Sequence, residues 1–296
     1  MGITIGSDSP VIISAAGGRE SGQAFGWTLT EDQLLTGANP TGRTAVDGDF
    51  GTYTPTNGAP IVVRYKAACP VAAGAGGVPR PVWMIPEAYA GNPVVVSWLT
   101  GSESGTLATT LAAQGWTTAT AGTGSTIALN SGYVRCTAPV HTSATSAQVN
   151  SASWLGSQRF YLQGLIRGSS SGASAFTGFH QTGSNDIQYS FARDFSTGFF
   201  RHLTVPGGSW SAVDSVNSLP GGGQTISSTT PWLIQSIGRT LTENAETRID
   251  GELYGSMRRN LDSATTASAM VLSLFTAGGA STSAIFEAKN LTILTY

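Results

Sequence analysis

The chain has 296 residues and a formal net charge of -2, with 15 Lys and Arg against 17 Asp and Glu. Only 11% of its residues are charged, where an average soluble protein has about a quarter, so hydroxyls and backbone amides must supply most of the polar surface. Such a surface gives no basic footprint for nucleic acid and little steering of charged partners, and this length holds one large core or two moderate ones.

The N-terminal stretch MGITIGSDSP has neither a basic n-region nor an apolar h-region, so no secretory signal is expected there, and Gly6 stands where a myristoylation motif needs Ser or Thr. No stretch approaches the roughly 18 apolar residues of a membrane span. Strand-like runs then follow one another: VIISA (11–15), PIVVRYKAA (60–68), PVVVSWLTG (93–101), RFYLQGLIRG (159–168), IQYSFARD (187–194), PWLIQSIGRTL (231–241), MVLSLFTAG (270–278) and IFEAKNLTILTY (285–296). Gly, Pro, Asn and Ser clusters separate them at short spacing, the pattern of an antiparallel sandwich or barrel. Helical periodicity is confined to short stretches at 31–35 and 106–114. The Gly, Ala and Pro run CPVAAGAGGVPRP (69–81) predicts a linker or long loop, and TATAGTGSTIALNSG (118–132) a low-complexity turn region. The expected organisation is all-β, a smaller β-rich part over residues 1–105 followed by an antiparallel sandwich over 106–296.

Residues able to do chemistry are sparse. Cys69 and Cys136 are too few for a disulfide framework or a zinc site and are expected as free, half-buried thiols. AVDGDFG and GSNDIQ offer Asp47, Asp49, Asn185 and Asp186, oxygen ligands of the kind calcium accepts, but neither stretch has the full spaced set and Asx turns account for both more cheaply. No other cofactor is indicated. GSSSG (168–172) matches Gly-x-Ser-x-Gly with Ser170 at the nucleophile position, and His141, His180 and His202 exist to partner it. The residues after it show no helix period, so a serine-rich loop is expected.

The densest cluster is DIQYSFARDFSTGFFRHL (186–203). Period two places Tyr189, Phe191 and Arg193 on one face, and Phe195, Phe199 and His202 follow. Core packing explains part of such a cluster; the remainder fits a stacking platform on which ring faces meet sugar C–H groups while Asn185, Asp186 and Arg193 take hydroxyls, with Trp210 joining from the next loop.

Near the C-terminus RIDGELYG (248–255) places Asp250-Gly251 between two strand-like segments, the pair that tolerates positive φ at both central positions of a type I′ turn. A solvated hairpin tip is the expectation. With PWLIQSIGRTL before it, Gly278 and Gly279 after it, and a last strand carrying Ile285, Phe286, Leu291, Ile293 and Leu294, this order resembles the closing strands of concanavalin-A-like lectin and laminin-G-like jelly rolls. The resemblance covers about residues 115–296. Glycosidases on that fold carry acidic residues at period two on one strand, about 5 Å apart across a groove. This chain has no Glu-x-Asp-x-Glu, and its nearest alternations, Asp250-x-Glu252 and Asp47-x-Asp49, lie beside glycines.

A hydroxyl-rich, weakly charged, nearly all-β chain with such a C-terminal half resembles the fibre, spike and decoration proteins of tailed bacteriophages and phage-like particles. The resemblance implies a non-enzymatic virion protein, assembled in the host cytoplasm, that docks to other virion proteins through its N-terminal part and binds host surface polysaccharide through its sandwich. It also implies homo-oligomerisation, because such particles are built by symmetry, and neither nucleic-acid binding nor membrane insertion. A polysaccharide depolymerase and a purely architectural protein are the alternatives.

Overall fold

A computed structural model describes residues 26–42, 44–56, 58–100, 107–130, 132–155, 158–170, 176–183, 188–194, 199–205, 211–218, 232–239, 244–258 and 269–296. The expected strand at 11–15 lies outside these residues. The first four strands, β1 (Gly26–Thr28), β2 (Phe50–Tyr53), β3 (Ile61–Cys69) and β4 (Arg80–Met84), form a 4-stranded sheet in that order. Between β1 and β2 runs α1 (Glu31–Thr36). Its start is fixed by a capping box: Thr30 Oγ1 accepts from the Gln33 amide, and the Gln33 side chain accepts from the Thr30 amide. Its end is fixed by Gly37 at φ 74°, where a Cβ would fall 2.1 Å from the Pro81 carbonyl oxygen. The next elements are α2 (Pro86–Ala90), β5 (Val94–Leu99) and α3 (Leu107–Ala112).

The remaining strands build a two-layer antiparallel sandwich, so the all-β expectation is met. They are β6 (Trp116–Ala121), β7 (Thr126–Asn130), β8 (Tyr133–Ala138), β9 (Thr145–Ser151), β10 (Trp154–Leu155), β11 (Phe160–Ser170), β12 (Phe176–Gly183), β13 (Gln188–Asp194), β14 (Phe199–Val205), β15 (Ser211–Ser218), β16 (Leu233–Arg239), β17 (Asn244–Ile249), β18 (Glu252–Arg258), β19 (Ala269–Gly278) and β20 (Ala284–Thr295). The front sheet runs β15-β14-β13-β12-β19-β9-β6 with β10 on β19, and the back sheet runs β18-β17-β16-β11-β20-β8-β7 with β5 on β20. β5 precedes residue 105 yet bonds to β20 through pairs such as Leu291–Leu99 and Ile293–Ser97, so the sandwich recruits a strand from the segment assigned to the N-terminal part.

The two faces of β11 explain how the parts are joined. Phe160, Leu162 and Ile166 point into the core between the sheets, with Trp116, Val149, Leu274, Phe286 and Ile293. Their neighbours Tyr161 and Leu165 point the other way. Leu165 and Ile234 pack with Leu34, Leu35, Val63 and Trp83 of the N-terminal unit, and Tyr161 and Leu294 pack with Cys69, Val82 and Met84. The central back-sheet strands are therefore covered on both faces, which is why residues 291–295 of β20 are all buried.

Gln163, between Tyr161 and Leu165, is a buried polar residue in this interface. Its Nε2 donates to the carbonyls of Leu34 (3.1 Å) and Trp83 (3.0 Å), and its Oε1 accepts from the Tyr161 hydroxyl (3.0 Å). One buried amide thus satisfies the end of α1, the β4 strand and a ring hydroxyl.

Two segments differ from their expected character. Residues 69–81 are packed: Val71 bridges Val95, Ala75 is buried, and the Trp98 indole donates to the Ala75 carbonyl at 3.0 Å. Residues 118–132 contain most of β6 and all of β7. The thiols are free, as expected, but fully buried, Cys69 under the N-terminal sheet and Cys136 inside the sandwich. Burial pushes their pKa values up, to about 11 for Cys69 and about 12 for Cys136, so both are poor nucleophiles.

Gln163→Leu keeps the volume but leaves two buried carbonyls without a donor. Each such loss costs about 1–3 kcal/mol, so the variant is expected to unfold at clearly lower denaturant concentration in an equilibrium titration, with an unchanged native spectrum.

Candidate functional site

The Asp250-Gly251 turn is a docked element. Both residues have positive φ, 48° and 82°, as a type I′ turn requires. The Asp250 amide donates to the Ile234 carbonyl (2.8 Å), and Asp250 Oδ1 accepts from the Ile234 amide (2.9 Å), so the tip is clamped to the start of β16. Its backbone also abuts the loop before β3. A Cβ at Gly251 would fall 2.2 Å from the Ala59 carbonyl oxygen, and one at Gly58 would fall 2.0 Å from the Asp250 carbonyl oxygen. Glu252 and Leu253 remain exposed, so the expected solvated tip is half sealed against the N-terminal unit.

Beside this junction a cleft of about 420 Å³ separates the unit from the sandwich. Pro60, Ile61 and Val62 of β3 and its approach, with Ile85 and Glu87 at the start of α2, form one wall; Ser236, Gly238, Glu246 and Arg248 form the other. Tyr161 lies at its base. Strand register explains the second wall: Tyr161 is opposite Gly238 and Gly238 opposite Glu246, while Gln163 is opposite Ser236 and Ser236 opposite Arg248. Glu246 and Arg248, two apart on β17, share a face and meet at 3.0 Å. Arg248 also donates to the Gly251 carbonyl at 3.3 Å, which ties the cleft wall to the turn. Burial holds the Tyr161 hydroxyl protonated, far above the usual tyrosine range.

The cleft therefore offers guanidinium and hydroxyl donors, carboxylate acceptors and an apolar wall, at a junction between structural units where ligand sites are common. Among the described residues, no group of three or more His, Cys, Asp and Glu side chains is placed to hold a metal ion. Asp47 accepts from Lys66 Nζ at 2.9 Å and from the Ala67 amide at 2.6 Å, and Asp49 from the Val46 amide and the Trp27 indole. Both acids are engaged within the N-terminal unit, through contacts with β1, β3 and the preceding loop that are not the expected Asx turns. Ser170 ends strand β11 opposite Ala284, not on a strand-to-helix turn.

Of the stacking platform expected from sequence, Asn185, Asp186, Phe195 and Trp210 lie outside the described residues. Tyr189 and Arg193 are on β13, and Phe199 and His202 on β14. Tyr189 is paired with Gln181, Phe191 with Phe179 and Arg193 with Thr177, and these β12 residues lie opposite Leu272, Leu274 and Thr276. Backbone register thus puts Tyr189 and Arg193 in rows that meet Leu272 and Thr276 of β19. His202 shares the row of Phe191, whereas Phe199 pairs with Asp194 in a row of opposite parity. The cleft walls are not legible in the sequence: Glu87, Ser236 and Glu246 carry no motif, and the shared face of Glu246 and Arg248 becomes visible only once β17 is placed.

No protein-family model and no curated protein sequence matches the chain. Similar solved structures include the binding domain of botulinum neurotoxin DC in complex with rat synaptotagmin II, at 12% identity and TM-score 0.46, covering 67% of this chain and 47% of that one. The Emp47p carbohydrate recognition domain is similar at 12% identity and TM-score 0.43, covering 68% of this chain and 94% of that one. LamAcat from Zobellia galactanivorans is similar at 10% identity and TM-score 0.38, covering 57% of this chain and 80% of that one. The chain spans about half the length of the neurotoxin chains it matches.

Two consequences can be checked. Gly251→Ala places a methyl group against the Ala59 carbonyl and is expected to melt well below the parent, a change visible by thermal denaturation. Burial raises the carboxyl pKa of Glu31, with Lys289 opposing and Asp250 and Asp32 adding, and burial likewise raises that of Asp250. A raised carboxyl pKa is a penalty present when the group is ionised and relieved as pH falls through the raised value. Glu31→Gln should therefore raise the Tm at neutral pH, an advantage that shrinks as melts are repeated at progressively acid pH.

Proposed function

We propose that the chain is a non-catalytic saccharide-binding protein of a virus particle, a fibre, spike or decoration component of a phage or phage-like particle whose ligand is host surface polysaccharide. The observation that carries the saccharide reading is the cleft of about 420 Å³ between Val62 and Ile85 on one side and Ser236, Glu246 and Arg248 on the other. Sugars present alternating hydroxyls and C–H faces, and a site that mixes fixed donors, fixed acceptors and apolar wall meets both. The weakly charged, hydroxyl-rich composition and the lectin-like sandwich support the same reading.

A hydrolytic role is disfavoured by how the carboxylates are used. Glu246 is engaged by Arg248 at 3.0 Å, and the chain has no Glu-x-Asp-x-Glu strand of the kind that supplies acid and nucleophile to glycosidases on this fold. For attachment to the particle, the N-terminal unit supplies exposed Val46 and Phe50 away from the cleft lining, apolar side chains suited to a protein neighbour. Copies of the chain brought together there would build the homo-oligomer that particle symmetry calls for.

The test is binding of the purified chain to capsular polysaccharides of candidate hosts, with chromatography of the incubated polysaccharide for released fragments. Arg248→Ala and Ser236→Ala are each expected to weaken binding about tenfold, the equivalent of one lost hydrogen bond to a charged or buried group, with no fragments released. Binding indifferent to both substitutions would contradict the cleft as the site, and fragment release would replace the adhesin with a depolymerase.

A further inference from the structure

A second polar cluster lies outside the cleft, on the part of the back sheet beyond the edge of the N-terminal unit. Register places Arg167 of β11 opposite Glu287 of β20, and Glu287 opposite Arg135 of β8. One row further towards the unit, Lys289 lies opposite Leu165. Trp232, just before β16, and Tyr133, at the start of β8, flank these rows with ring centroids 5.6 Å apart.

Glu287 is fully buried, and its oxygens accept from Arg135 Nε and Arg167 Nε, each at 2.5 Å. Burying a carboxylate costs several kcal/mol unless its pairing is close and its hydrogen bonds are complete, and here that pairing fixes two guanidiniums side by side. Arg167 is pinned further, 4.4 Å from the Trp232 ring centroid and 5.4 Å from that of Tyr133. Lys289 Nζ sits 4.5 Å over Trp232. Arg135 lies 5.7 Å over Tyr133 and keeps a third of its side chain exposed.

Two guanidiniums, Arg135 and Arg167, share the single Glu287 carboxylate. Lys289 stands over Trp232 beside them, with Glu31 of α1 in its field and Asp250 and Asp32 in turn near Glu31. Preorganised cationic donors bordering aromatic rings are the chemistry that takes an anionic oxygen group and the apolar face of the ring carrying it.

We infer that this ledge binds the carboxylate of an acidic saccharide. Arg135 and Lys289 contact the carboxylate, Tyr133 offers its ring to the sugar's C–H face, and Glu287 and Arg167 are positioning residues that hold Arg135 and the rings in place. The ligand class rests on the saccharide-binding reading; the location is separate from the cleft. A phosphate group shares the anion chemistry, so the test must separate the two.

Titration calorimetry on the full chain would compare a glucuronic-acid-containing oligosaccharide, the same oligosaccharide with its carboxyl groups reduced to alcohols, and inorganic phosphate. The native oligosaccharide is expected to bind, to bind more weakly as salt is added, and to lose at least tenfold in affinity on carboxyl reduction, in Arg135→Gln and in Lys289→Gln. Thermal melts accompany each variant; Lys289→Gln, which removes no partner of the buried Glu287, carries the test should Arg135→Gln fold poorly. Equal binding of native and reduced forms would overturn the ledge while leaving the cleft reading intact. Binding of neither form would overturn both, and binding of phosphate without the saccharide would overturn the ligand class.

Discussion

Coverage of the back sheet on both faces is the constraint on which the rest of this structure depends. A sandwich normally buries one face of each sheet and leaves the other to solvent. Here β11 and β20 send Leu162 and Ile293 inward and Tyr161, Leu165 and Leu294 outward into a second apolar layer. The N-terminal unit is that layer. The backbone of α1 and β4 brings carbonyls into the contact, and Gln163 answers them with its amide while the Tyr161 hydroxyl completes the amide's other side. A leucine at 163 would match the neighbouring side chains better and the backbone worse.

The cleft and the hairpin dock follow from this seating. The unit covers the centre of the back sheet but stops short of β17, so the space between β3 and β17 remains open while the Asp250-Gly251 turn touches the loop at 58–60. Glycine at 58 and 251 is required because two backbones meet there without room for a side chain. Where the unit's cover ends, the sheet face is occupied by Arg135, Arg167, Glu287 and Lys289, whose ion pairs and ring contacts replace apolar cover. The same seating thus borders both polar surfaces, the cleft and the ledge.

How much of this was legible in the sequence varied with burial. β3, β5, β11, β16, β19 and β20 are β-rich apolar runs between turn residues and could be placed within a residue or two. So could the type I′ turn, because Asp-Gly between strands has few other uses. β6 was hidden, since beyond Trp116 it is exposed and built from Thr and Ala, which resembles a low-complexity loop. Residues 69–81 had the composition of a linker, yet small residues such as Ala75 fit closely beneath Trp98. The docking of the hairpin was illegible because Gly58 and Asp250 are far apart in the chain. Arg167 and Arg135 reach Glu287 across 120 and 152 residues, so no local spacing could announce the ledge.

The central claim is that the N-terminal unit and the sandwich form one cooperative body, since the cleft exists only while they are joined. Native-state hydrogen exchange in increasing denaturant tests it most directly. Amides of Val63, Tyr65 and Trp83 in the unit and of Leu162 and Leu165 in the sandwich should merge into a single opening event with one free energy. An unit whose amides exchange through a separate, much less costly opening, with the sandwich still protected, would contradict the account.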